Sequence, residues 1–188
     1  MNNTLLEFVL RHTSDEWERL RTEFSCIPPD EYTWQPALRV HSIGWHVRHT
    51  IEWRYALVHL LICGNRRGES LSCLGWESEP LIQRISEHRG WYEPTSSAEE
   101  DIERLYRVKD ITTADLIQLS PERYDEIVSF PWRTNRLIDE IFQDVRHSAL
   151  HRGHVREIKH LLRRRAHHHA TLPRAMPALS DLSAQGQG

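Results

Sequence analysis

Residues 137–162 carry side chains at helical spacing along a stripe that is apolar at both ends and polar in the middle. The stripe runs Leu137, Ile141, Asp144, Ser148, His151, Val155, Ile158 and Leu162. Steps of three and four residues put all of these on one side of an α-helix. A helix with such a face must bury it against other elements, so the rest of the chain has to supply partners. The centre of the stripe needs partners of another kind, because a buried polar group left unsatisfied costs about 1–3 kcal/mol. Metal ligation is one way to meet that cost.

Three more segments show the helical period. Leu5, Phe8, Val9, His12, Trp17, Leu20 and Phe24 define a first helix from about Thr4, and it has to stop before Pro28–Pro29. Ser42 is placed to cap a second, with Ile43, Val47, Ile51, Leu57, Val58 and Leu61 on its apolar positions and Gly64 as its stop. A third opens at the acidic stretch 96–101, capped by Ser96 or Ser97, and runs to about Leu119. The fourth, carrying the stripe, is expected from about Thr134 to Arg165. Residues 28–41 form a loop with aromatic anchors, and 64–95 a long crossover with one helical patch at 81–87. Four amphipathic helices with long crossover connections predict an all-α four-helix bundle over residues 1–165. Residues 166–188 lack periodicity and are expected to form a mobile C-terminal tail.

The formal charge is −3, which gives no general attraction to nucleic acid or to an anionic membrane. The longest apolar run, at 56–63, is too short to span a bilayer, and the N-terminus does not have the pattern of a signal peptide. Cys26, Cys63 and Cys73 are an odd set without CxxC spacing, so they read as reduced thiols. Together these features predict a cytoplasmic protein with no nucleic-acid or membrane partner.

The polar centre of the fourth helix lies in HSALHRGH (147–154). Residues four apart on a helix differ by about 40° and about 6 Å along the axis, so His147 and His151 share a face. The second helix has a comparable patch in SIGWHVRHTIEW (42–53), where His46, His49 and Glu52 follow at steps of three. Two histidines from one helix and one from another would make a facial set of three neutral nitrogens. Such a set suits zinc, nickel, iron or copper and leaves coordination positions open. Asp144 and Glu52, one turn from the histidines, are candidates to orient a ligand imidazole or accept a proton. His12, His41, His59, His88 and His160 show no partner pattern, and His167–His169 form a tract suited only to loose metal binding.

These two motifs resemble those of the DinB/YfiT-like metal-dependent family. The second-helix segment SIGWHVRHTIEW and the last-helix motif HSALHRG carry the resemblance, which extends over residues 3–165. It implies a metal triad of His49, His147 and His151. It also implies a homodimer, and one divalent transition metal activating water or a low-molecular-weight thiol such as mycothiol or bacillithiol. Understood relatives are similar to thiol S-transferases, isomerases and hydrolases. Others, the ergothioneine-pathway sulfoxide synthases, carry the bundle as one domain of a larger iron enzyme. His154 stands where the family usually has Gln, and His46 where an apolar residue is commoner, so His154, Asp144 and Glu52 are the candidate catalytic side chains.

Two other readings stay open from the residues alone. Asp144 and His147 imitate the carboxylate-x-x-His pattern of di-iron bundles, which would need further acids such as Glu16 or Glu103. The site could instead hold together a non-catalytic binding or stress-response protein, with 64–95 as its partner surface. Trp45, Trp53, Trp76, Trp91 and Trp132 could line a pocket or simply anchor core and loops.

Overall fold

The computed structural model describes residues 3–37, 40–65, 69–74, 96–130 and 133–171, with Asn3 and 167–171 described by backbone alone. The helical patch expected at 81–87, Trp76, Trp91, Trp132 and residues 172–188 of the tail lie outside the described residues. Among the described residues the chain is all-α apart from one small hairpin. Its elements are α1 (Asn3–Phe24), a one-turn α2 (Pro29–Tyr32), α3 (Ile43–Arg54) with a π-helical continuation (Tyr55–Ile62), and α4 (Ala98–Gln118). A 3₁₀ turn (Pro121–Asp125), β1 (Ile127–Ser129), β2 (Thr134–Arg136) and α5 (Leu137–Thr171) complete the order.

α1 packs on α4 and α5, and α3 packs on the same two helices, so α1 and α3 occupy opposite corners of the bundle. No helix among the described residues is long and apolar enough to cross a membrane. The expected stripe of α5 is the face that is buried: Leu137, Ile141, Asp144, Ser148 and Val155 are inaccessible, and His151 and Ile158 nearly so.

Helix boundaries follow local chemistry. Ser42 Oγ accepts from Trp45 N at 3.2 Å to start α3. Ser97 and Glu100 form a capping box on α4, satisfying two backbone N–H groups reciprocally. Gly64 ends the second helix at φ 65°, the left-handed conformation that glycine adopts without steric cost. Two ends differ from expectation. Residues 134–136 pair with 127–129 as an antiparallel hairpin before α5 begins, with Val128 opposite Asn135. α5 then continues six residues beyond Arg165, because nothing between Ala166 and Thr171 is a glycine or proline that would break it.

The unexpected feature is α3. All twelve of its residues are buried, Arg48, His49, Glu52 and Arg54 among them. Each charged group finds a partner on a neighbouring element. Arg54 Nη1 donates to Asp144 at 2.5 Å and Nε to Thr112 at 2.7 Å, and the guanidinium lies 4.7 Å from the Trp17 ring. Burial pushes the Asp144 carboxyl above its ordinary range, against the opposing pull of Arg54. Glu52 accepts from Ser72 Oγ, Cys73 N and Leu74 N at 2.6, 2.5 and 2.9 Å. Arg48 donates to the Cys73 carbonyl, and Asp101 accepts from Tyr32 Oη at 2.6 Å, which docks α2 on α4.

Breaking the central pair from one side should be far worse than removing it whole. Arg54→Met is expected to lose about 3–5 kcal/mol in urea denaturation, and the double variant Arg54→Met/Asp144→Leu to lose much less. Strictly additive losses would show that the two side chains do not interact. A smaller test concerns Cys26, an exposed non-glycine residue at φ 56° just beyond α1. Cys26→Gly should gain about 0.5–1 kcal/mol by relieving that conformation, after its own loss of chain entropy. No gain would mean the turn carries no strain.

Candidate metal centre

α3 and α5 bring the two histidine patches together. His49 Nε2 lies 3.2 Å from His147 Nε2, and His151 Nε2 lies 3.1 Å from the same atom. One donor atom from each of His49, His147 and His151 falls within 4.8 Å of the others. Metal–imidazole bonds are about 2.0–2.1 Å, so neighbouring ligands on one ion stand about 3.0–3.4 Å apart. The two measured separations fall in that range.

The electrostatics point the same way. Burial drives the His151 pKa far down, and positive charge on His147, His49, His46 or His154 would drive it further. His46 is lowered to about 3, again first by burial and then by His154, His41 and His147. The His151 and His46 rings are therefore neutral at physiological pH, each keeping one nitrogen lone pair for a metal. Their chemistry and spacing fit a divalent transition metal at His49, His147 and His151.

Neighbouring side chains hold the rings in place. Trp45 stacks on His49 with centroids 4.5 Å apart and planes 11° from parallel, and Trp53 stacks on His147 at 4.4 Å and 28°. Trp45, His49 and Trp53 are spaced at i, i+4 and i+8, so one helical stripe clamps both α3's own ligand and one from α5. That spacing is visible in the sequence, but only the fold shows that the indoles face imidazoles. His46 Nδ1 lies 2.9 Å from His151 Nδ1. With a metal on His151 Nε2, its Nδ1–H would donate to His46, the orienting role usually played by a carboxylate or carbonyl.

The other expected site residues divide. His154 is exposed, with its ring 5.1 Å from that of His46, beside the site. Asp144 is engaged by Arg54, and Glu52 by the 72–74 turn, so both carboxylates serve contacts between elements. Arg152 pairs with the buried Glu16 of α1 at 2.7 Å, which fastens the HRG segment of α5 to the bundle. Glu103 is exposed. The acids proposed for a di-iron arrangement are thus committed elsewhere or turned outward, and the candidate clusters among the described residues consist of imidazoles alone.

A cavity of about 300 Å³ opens beside His46 and His154. Pro36, Val40, Ile158 and Leu161 supply its apolar wall. A larger depression of about 600 Å³ lies at the far end of the second helix, near Cys63, Asp115 and Arg123, and includes none of the triad.

Metal bound to the folded state alone should stabilise it by mass action. At a hundredfold excess over Kd, zinc or nickel should raise Tm by about 5–10 °C in a thermal melt. His147→Ala should remove most of that shift, and an undiminished shift would place the metal elsewhere.

Comparison with known proteins identifies the family of the chain. The sequence model of the DinB superfamily matches residues 12–155, from the middle of α1 through the whole triad. No curated protein matches the chain. The chain belongs to the DinB superfamily.

Proposed function

We propose that this protein is a metal-dependent enzyme that uses a thiol or water nucleophile on a small electrophilic substrate, as a thiol S-transferase or a hydrolase. The observation that carries the proposal is the convergence of three imidazole nitrogens, from His49, His147 and His151, at metal-ligand spacing. When bound, the metal supplies a positive charge that lowers the pKa of a thiol or water and makes it nucleophilic near neutral pH.

The remaining work falls to the chain's own residues. His49, His147 and His151 would hold the ion, and three protein ligands would leave room on it for a further one. Trp45 and Trp53 keep two of the rings from turning and exclude water from their faces. The apolar wall of Pro36, Val40, Ile158 and Leu161 suits a substrate with a hydrocarbon portion, within the size range of small-molecule sites. His154, exposed at the cavity, exchanges protons between the reacting groups and solvent. Asp144 and Glu52 act as positioning residues: they lock α3 to α5 and to the 72–74 turn, and so fix the distance between the histidine-bearing helices.

The test is cobalt-substituted protein loaded with a single equivalent of metal. Addition of mycothiol or another low-molecular-weight thiol should produce a sulfur-to-cobalt charge-transfer band, absent in His147→Ala. If the nucleophile is water, azide rather than thiol should perturb the visible spectrum. A spectrum indifferent to both would mean a closed, structural ion and would overturn the enzymatic proposal. In a working assay His154→Ala should lower kcat by about 10²-fold or more with little change in KM.

A further inference from the structure

His151 is contacted on both ring nitrogens, and each contact belongs to a different histidine cluster. Its Nε2 meets the triad at His147, while its Nδ1 lies 2.9 Å from His46 Nδ1. His46, His151 and His154 each offer a donor atom within 4.8 Å of the other two. We propose that this second cluster is also a metal site, so that the protein binds two transition-metal ions bridged by the imidazole ring of His151. The proposal rests on the triad being the first site.

Several observations support it. The 2.9 Å spacing of the two Nδ1 atoms is close to the separation of about 3.0 Å expected for adjacent nitrogens on one ion. His46 and His151 are buried whereas His154 is exposed, so the second ion would sit between the core and solvent, with a path for entry. The three rings form a connected cluster, with centroids 5.1 Å apart for His46–His151, 5.1 Å for His46–His154 and 5.7 Å for His151–His154. His154 lies three residues beyond His151, so both follow one face of α5. The cavity beside His46 and His154, which Glu157 and His41 also line, leaves room for water or an anion as a further ligand.

Occupation of both sites changes the bond inventory in a defined way. With one ion, the proton on His151 Nδ1 is shared with His46 as a hydrogen bond. When the second ion binds, that proton leaves to solvent, Nδ1 donates its electron pair to the metal, and the ring becomes an imidazolate bridge. His154 is then a ligand, and proton exchange passes to solvent in the cavity.

Full-length protein stripped of metal, reloaded with excess zinc and freed of unbound ions tests this directly by elemental analysis. Wild type should hold one zinc more than His154→Ala. That variant alters an exposed side chain and keeps the fold, and the His167–His169 tract is common to both proteins. The copper(II)-loaded wild type should show a half-field EPR signal from two coupled ions, lost in His154→Ala. Equal zinc content with only isolated-copper spectra would overturn the second site. His49→Ala reports separately on the first: an equivalent lost there but not in His154→Ala overturns the second ion alone, and no loss in either variant overturns both.

Discussion

The structure depends on burying one helix that is not apolar. Residues 42–60 are inaccessible or nearly so, although they include Arg48, Glu52, Arg54 and three histidines. Sealing such a segment in the core would be prohibitive unless each polar atom met a partner, so the neighbours of α3 are chosen by chemistry as well as by shape. Arg54 selects Asp144 of α5 and Thr112 of α4, Glu52 selects the backbone of the 72–74 turn, and His49 selects His147. Apolar packing alone would tolerate a helix turned or shifted by a fraction of a turn. Directional contacts of this kind tolerate much less, and that is what brings nitrogen atoms from two helices to ligand spacing.

The same device separates support from chemistry. Two carboxylates close in sequence to the histidines are consumed in holding helices together. Two tryptophans that could have lined a pocket instead stack on imidazoles. What remains facing the cavity is a set of histidines, a few apolar side chains and Glu157. A site of this composition favours neutral nitrogen ligation over a carboxylate-rich di-iron centre, since Glu16 is tied to Arg152 and Glu103 faces solvent.

Several elements were legible without coordinates because their causes are local. Ser42, Ser97 and Gly64 mark helix ends through bonds and dihedrals within a few residues of themselves. The stripe from Leu137 to Ile158 is buried as its period requires, polar members included, and Leu162 at its end is half-buried. The hairpin at 127–136 was not legible: each strand is only three residues long, and its pairing is a contact between segments rather than a pattern within one. Nor does any spacing rule show that Glu52 turns to residues 72–74, or that Arg54 spans to α5.

The sequence by itself determined a helical bundle, the ends of most of its helices and the two histidine patches, together with a family resemblance that the DinB superfamily match bears out. Periodicity, capping and short motifs are properties of neighbouring residues, and they survive being read in one dimension. Only the tertiary structure decided which carboxylates are structural, that Trp45 and Trp53 clamp the ligand rings, and that His151 faces a histidine cluster on each side. Those outcomes turn on the rotation of α3 against α5. That rotation is set by buried ion pairs and hydrogen bonds between residues 50 to 100 positions apart.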